Sequence, residues 1–180
     1  ISTSTVQWLT TGFLMVNGIM IPISAYLSSR FNTKWLFIIA MIIFEIGTVM
    51  AWLAPSFGVL FAARLTQAVG VGITMPLMQN IMMLIYPPEK RGAAMGLNGL
   101  VIGLAPAIGP TLSGWVIDNY SWRWLFGMIV PITALVIIAS FFLVKNVIPN
   151  HHPQLDWLSV VLSTAGFGSM LYGFSSVGDK

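Results

Sequence analysis

About six stretches of mostly apolar residues follow one another along the sequence, and they limit the possible fold more than any other feature. Each has about the 20 residues that an α-helix needs to cross the hydrocarbon core of a bilayer. Short polar or Pro/Gly-rich turns separate them. The stretches run approximately over residues 6–28, 35–53, 57–86, 93–117, 124–144 and 157–176. We therefore expect an all-α membrane protein, with residues 1–180 forming a single polytopic transmembrane helix bundle.

The composition argues against a soluble fold. Hydrophobic residues make up 57% of the chain and charged residues 7%, whereas soluble domains contain about 25% charged residues. The net charge of +3 would suggest a nucleic-acid partner in a soluble protein, but here the basic residues are divided among the connections, without a basic run. We therefore expect a lipid bilayer around the chain, and no nucleic acid.

The charged residues predict which loops face the cytoplasm. Arg30 and Lys34 follow the first stretch, residues 89–91 follow the third, and Lys145 lies near the end of the fifth. The intervening connections carry one basic residue, Arg123. The positive-inside bias places the first group in the cytoplasm. The tryptophans lie near the predicted ends of spans, as expected for side chains that prefer the headgroup layer: Trp8, Trp35, Trp52, Trp115, Trp122, Trp124 and Trp157.

Two charged residues lie well inside predicted spans, Glu45 and Arg64. A charge at the bilayer centre costs about 3 kcal/mol on insertion scales, so each needs a reason to be there. Glu45 is too short to reach water from mid-span, and we expect it to be protonated, paired with a cation or exposed to an aqueous cavity. It either binds a proton or a cationic substrate, or forms a structural hydrogen bond between helices as a neutral acid.

Arg64 lies about 10 Å inside the outer end of the third span. An arginine keeps its proton in proteins, so it is not the proton carrier; it can hold a nearby carboxylate ionised or change its acidity. Gln67 lies one turn later on a similar face. We assign Arg64, Gln67 and Glu45 as candidate proton-coupling residues, with a purely structural salt bridge of Arg64 as the alternative.

The fourth stretch carries small residues and prolines at spacings of three or four, on one helical face. Such a face permits close helix approach, and the prolines predict a bend between residues 105 and 110. It is either a rocking interface or a structural seam. The residues are Gly92, Gly96, Gly99, Gly103, Ala107, Pro110 and Gly114, with Pro106 beside them.

Sequence patterns for enzymatic chemistry are absent. The chain has no phosphate-binding Gly-x-x-x-x-Gly-Lys loop, no metal-ligand spacing and no nucleophile elbow. His151 and His152 are interpreted as solvated linker residues. We therefore expect no enzyme, no metal site and no cofactor. Scattered polar residues within the spans, including Asn17, Thr74 and Asn98, are weaker candidates for lining a substrate cavity.

Three motifs follow one another along the chain. They are Ala25-Tyr26-Leu27-Ser28-Ser29-Arg30-Phe31-Asn32-Thr33-Lys34, Arg64-Leu65-Thr66-Gln67-Ala68-Val69-Gly70 and Gly109-Pro110-Thr111-Leu112-Ser113-Gly114. In this order they resemble motifs of the major facilitator superfamily, and in particular of its fourteen-span drug:proton antiporter branch. In that family the first is the cytoplasmic gating loop, the arginine of the second is linked to proton coupling, and the third is the antiporter motif.

The resemblance implies a role for some residues and not for others. Leu27, Arg30 and Lys34 match the gating loop. Ser29 stands where the family has an acidic residue that helps to hold the cytoplasmic gate closed, so this chain lacks that acid. Gly109, Pro110 and Gly114 match the antiporter motif, which separates exporters from many symporters and uniporters. The chain aligns with the family's second to seventh spans. We therefore expect a partial fold, incomplete at both ends, whose partners include the rest of the same transporter.

The function that the resemblance implies is secondary active export of amphipathic or cationic drugs in exchange for protons, by alternating access, in the bacterial cytoplasmic membrane. A family permease for a metabolite such as a sugar or an organic anion is the main alternative. A non-transporting membrane assembly protein is a further one, although it would not need Arg64 within the membrane.

Overall fold

The structure is a computed structural model that describes residues 3–147 and 157–177. Its described residues form helices and short connections. The helices are α1 (Thr3–Arg30), α2 (Thr33–Trp52), α3 (Phe57–Ile85), α4 (Pro88–Asn119), α5 (Trp124–Gly127), α6 (Ile129–Leu143) and α7 (Trp157–Val177). His151 and His152 lie outside the described residues.

Six segments are long and apolar enough to cross a membrane, five of them single helices and the sixth formed by α5 and α6 together. The expectation of an all-α polytopic bundle is confirmed. Large apolar side chains remain exposed along the helices, as expected for surfaces that face lipid. Six of the seven tryptophans are among them; Trp52 instead packs against Trp124, with 6.0 Å between ring centroids.

Two helix boundaries differ from the sequence expectation. α4 begins at Pro88 rather than near residue 93, because proline suits the first turn of a helix and Glu89 there complements the helix dipole. The expected span 124–144 is interrupted at Met128, between α5 and α6. Pro131 lacks a backbone N–H, and its ring crowds the carbonyl four residues earlier, that of Gly127, where α5 ends.

Helices α1, α2 and α3 form the packed centre of the bundle. Leu36 and Ala40 of α2 pack against Ile73 and Leu77 of α3, with partly buried apolar side chains of all three helices around them. The other helices lie outside this centre. Within the described residues α7 packs on α1, α6 packs on α2 and α5, and α4 touches only α3 and α5.

The small-residue face of α4 does not form a close helix contact within this part of the chain. A Cβ added at Gly92, Gly96, Gly99, Gly103, Gly109 or Gly114 would meet no described atom within 4 Å. Val116 is the buried residue of α4. The helix also stays continuous through Pro106 and Pro110, and the bend expected there remains a prediction.

Two contacts show which connections share an end of the bundle. At one end, the backbone N–H of Thr33 donates to Asn146 Oδ1 over 2.9 Å, and Lys34 Nζ donates to the Phe141 carbonyl over 2.6 Å. At the other end, Arg123 Nη2 donates to the Ala54 carbonyl over 2.7 Å. The Arg30–Lys34 connection therefore lies beside the end of α6, as the charge pattern predicted.

The topology can be tested with single cysteines, because the chain has none of its own. In an otherwise cysteine-free transporter, we expect Lys90→Cys to react with an impermeant maleimide in everted vesicles but not in intact cells. Asp118→Cys should show the opposite pattern, since the two residues lie at opposite ends of α4. The same labelling pattern for both variants would contradict the topology.

The α2–α3 contact predicts a cost for any side chain at Gly47. A Cβ there would lie 2.8 Å from the Ala63 carbonyl oxygen and from the backbone nitrogen of Gln67. We expect Gly47→Ala to lower the free energy of unfolding by about 1–3 kcal/mol, as overpacking does in other cores. Gly58→Ala is the matched control, because nothing lies within 4 Å of its added Cβ. Equal melting temperatures for the two variants would argue against this packing.

Candidate functional site

Arg64 lies at the junction of α1, α2 and α3. Its side chain is half-buried, and its guanidinium carbon lies 4.6 Å from the centroid of the Phe13 ring of α1. Its Nη1 donates to Gln67 Oε1 over 2.9 Å. Within the described residues both partners are neutral, so the positive charge is held in place by an amide oxygen and an aromatic face rather than by a carboxylate.

Gln67 extends this contact from α3 to α2. The amide is fully buried, at 1% exposure, and its Nε2 donates to Thr48 Oγ1 over 2.9 Å. The Thr48 hydroxyl in turn donates to the Phe44 carbonyl over 2.8 Å. The four groups form one directed chain, in which Gln67 and Thr48 each accept one hydrogen bond and donate the next.

Glycines bring the two helices close enough for this chain to form. The Cβ position of Gly47 falls against Ala63 and Gln67, and that of Gly70 lies 2.7 Å from the Ala40 carbonyl oxygen. Small residues at such positions let helix backbones approach closely in membranes. A side chain at Gly47, one residue before Thr48, would move the hydroxyl away from the Gln67 amide.

Glu45 is not part of this hydrogen-bond chain, although we grouped it with Arg64 and Gln67 from the sequence. It shares a face of α2 with Trp52, seven residues later, and Trp52 packs against Trp124 and Gly127. The Oε2 atom of Glu45 is buried and has no hydrogen-bond partner among the residues that the structure describes. Within this part of the chain, the oxygen therefore makes no structural hydrogen bond between helices.

The three gating-loop residues make separate local contacts. Leu27 packs against the buried centre of α2 and α3. Arg30 Nη1 donates to the Tyr26 hydroxyl over 3.1 Å, and Lys34 reaches the end of α6. Ser29, at the position where the resembling motif has an acid, donates to the Tyr26 carbonyl. Their role in gating remains a prediction.

The weaker cavity candidates are not brought together. Thr74 lines an apolar cavity of about 230 Å³ between α2 and α3, and its hydroxyl donates to the Gly70 carbonyl. Neither Asn17 nor Asn98 lines that cavity. Asn17 lies against Gly72 in the α1–α3 contact, and Asn98 is half-buried on α4. Gly109 and Pro110 are exposed on α4, and Gly114 is half-buried.

The fold and the site agree with a family match that covers nearly the whole chain. The model of the Major Facilitator Superfamily matches residues 1–177. The chain belongs to this superfamily. Its members are transporters rather than enzymes, and with its six membrane-length helices this is a multi-pass membrane protein.

Several curated bacterial proteins of the superfamily are similar in sequence. The uncharacterized MFS-type transporter YcnB of Bacillus subtilis is 56% identical over 172 residues, 96% of this chain and 36% of the relative. The lincomycin resistance protein LmrB of the same organism is 48% identical over 179 residues, which are 99% of this chain and 37% of the relative. The multidrug export protein EmrB of Haemophilus influenzae is 34% identical over 164 residues, which are 91% of this chain and 32% of the relative. The chain spans about a third of the length of these relatives.

Within this superfamily segment, sequence reasoning identified Arg64 and Gln67 but missed their partners. The spacing of three residues already favoured an Arg64–Gln67 contact. Thr48 was one of several polar residues in the spans, and Phe13 one of many aromatic residues. The available signal was Gly47 beside Thr48, because a glycine in a span indicates a close helix contact where a short hydroxyl side chain can reach across.

The hydrogen-bond chain predicts a coupled loss of stability in the transporter. We expect Thr48→Val to lower the free energy of unfolding by about 1 kcal/mol, a typical value for a hydrogen bond between membrane helices. Thr66→Val is the matched control, since the Thr66 hydroxyl bonds only within α3, to the Ala62 carbonyl. Adding Gln67→Leu should cost less in the Thr48→Val background than in the wild type, because the shared bond is lost once. Strictly additive stability costs of the two substitutions would contradict the Gln67–Thr48 hydrogen bond.

Proposed function

We propose that the complete protein exports amphipathic or cationic drugs in exchange for protons, by alternating access between the two sides of the cytoplasmic membrane. The observation that carries this proposal is the position of Arg64 inside the bundle, with neutral partners. A permanent positive charge within the membrane is costly and marks a functional position. The gradient of protons then supplies the energy, and no nucleotide or cofactor is required.

The role we assign to Arg64 is electrostatic. The guanidinium has five N–H donors, and one of them is bonded within the described residues, to Gln67. The remaining donors and the uncompensated charge favour the ionised form of any carboxyl that approaches, and so favour release of its proton. The Gln67–Thr48 chain holds the guanidinium in place, so that this effect depends on the packing of α2 against α3.

The face of α3 that continues from Arg64 toward the end of the helix suits apolar and amphipathic substrates. Met75, Met78 and Met82 follow Arg64 at intervals that keep them on one helical face, and Met75 and Met78 are exposed, at 47% and 42%. Methionine side chains adapt to varied apolar shapes. A cationic drug would bind along this face at a distance from Arg64, because the two charges repel each other. The printed names of LmrB and EmrB, lincomycin resistance and multidrug export, support the same substrate class.

The two remaining motifs take supporting roles in this proposal. Leu27, Arg30 and Lys34 form the cytoplasmic gating loop, in which Lys34 ties the start of α2 to the end of α6. Gly109, Pro110 and Gly114 form the antiporter motif on α4, whose small-residue face is left uncovered by the described part of the chain. Asn17, Thr74 and Asn98 remain candidates for the substrate cavity.

The test uses the complete transporter in everted membrane vesicles. With an imposed proton gradient, we expect uptake of the lipophilic cation ethidium, and we expect Arg64→Ala to abolish it at an unchanged protein level. Arg91→Ala is the matched control, because the Arg91 side chain donates to the Tyr86 carbonyl at the end of α3 and lies outside the Arg64 network. Uptake of sugars or organic anions without movement of any lipophilic cation would instead favour a metabolite permease.

A further inference from the structure

A second face of α2 contacts α6 and α5. Lys34, Ile38, Glu45 and Trp52 follow one another at spacings of four and seven residues, which places them in one stripe. Lys34 bonds the Phe141 carbonyl, Ile38 is 1% exposed, and the Trp52 indole lies 2.8 Å from the Cβ position of Gly127. Glu45 is therefore the one acidic residue of this stripe.

The register of α2 and α6 places Glu45 at the level of residues 130–134. The two helices are antiparallel, with Lys34 beside Phe141 at one end and Trp52 beside Gly127 at the other. Counting back from Phe141 reaches residue 130 and counting on from Gly127 reaches residue 134, a range that includes Thr133. Within the described residues α6 packs against α2 and α5 alone, so Thr133 and Ser140, each 4% exposed and seven residues apart, face α2.

The hydrogen-bonding groups of this interface suit a neutral carboxyl rather than a carboxylate. The Thr133 hydroxyl donates to the Ile129 carbonyl and the Ser140 hydroxyl to the Val136 carbonyl. Each hydroxyl proton is therefore already used within α6, and the oxygens remain able to accept. A protonated Glu45 can donate to such an oxygen, whereas an ionised one would find no free hydroxyl proton.

The charges around Glu45 lead to the same conclusion. Neither α5 nor α6 contains a titratable side chain, and the one in α3 is Arg64, bonded to Gln67. Tyr26 and Arg30 of α1 and Lys34 of α2 lie near the cytoplasmic end. At the other end, Arg123 is bonded to the Ala54 carbonyl. A carboxylate at the level of residues 130–134 would thus lie in mid-span, with its Oε2 atom buried and without a cation at its level, which is unfavourable.

We propose that Glu45 is a proton-binding site of the transporter, located in the α2–α6 interface and outside the hydrogen-bond network of Arg64. This inference rests on the proposed proton-coupled export. One proton binds the Glu45 carboxylate to give a neutral acid in this packing. When α6 moves away from α2 and water reaches the carboxyl, the O–H bond breaks, the proton leaves to that water, and the carboxylate carries one negative charge.

The protonation state can be measured without any transport. The infrared spectrum of each purified complete variant is subtracted from that of the wild type at neutral pH. We expect the wild type to show a carbonyl band of a protonated carboxylic acid, which Glu45→Gln removes and Glu45→Asp shifts. Glu89→Gln, which removes an exposed acid at the start of α4, should leave the band unchanged. A wild-type spectrum from which neither Glu45 variant removes or shifts such a band would overturn the proposal.

Transport distinguishes a proton carrier from a neutral structural group. In proteoliposomes we expect Glu45→Gln to lower drug movement driven by a proton gradient by about tenfold or more, within the range of coupling between two sites. Movement down the drug's own gradient should stay close to wild type. If gradient-driven movement survives Glu45→Gln, Glu45 is structural and the inference is wrong. If the wild type moves no drug under either gradient, the proposed function fails, and the infrared band still decides whether Glu45 holds a proton.

Discussion

Hydrocarbon supplies no hydrogen bonds, so a polar group inside a membrane helix has to find its partner within the protein. The arrangement of α1, α2 and α3 follows from this constraint at Arg64. Its guanidinium bonds Gln67, the Gln67 amide bonds Thr48, and the Thr48 hydroxyl bonds a backbone carbonyl of α2. Because these side chains are short, the backbones have to approach closely, and Gly47 and Gly70 remove the side chains that would prevent it.

The two intramembrane charged residues have different surroundings. Arg64 contacts a neutral amide and an aromatic ring, whereas Glu45 lies in the stripe of α2 that carries Lys34 and Trp52, and its Oε2 atom has no partner within the described residues. A direct ion pair between them would have compensated both charges and fixed both groups. Keeping them apart leaves one charge free to act on other groups and one carboxyl free to change its protonation, which is what the proposed exchange of protons for drugs requires.

The sequence was sufficient for the large-scale fold, because membrane thickness sets the length of each span. It did not predict the helix boundaries and side-chain partners that depend on a single local interaction. Pro131 divides the fifth span at Met128, and Pro88 starts α4 earlier than its apolar pattern suggests. Arg64 and Gln67 were found because they are neighbours on one helix. The partner Thr48 and the separate position of Glu45 depend on how α2 packs between α3 and α6, which periodicity in one helix does not encode.

The most direct test of the account is the direction of proton movement when drug movement is imposed. In proteoliposomes containing the complete transporter and no initial pH difference, a drug gradient directed out of the vesicles should drive protons inward, detected as acidification by a trapped pH-sensitive dye. Drug leaving without acidification would contradict proton exchange, and alkalinisation would indicate that proton and drug move in the same direction.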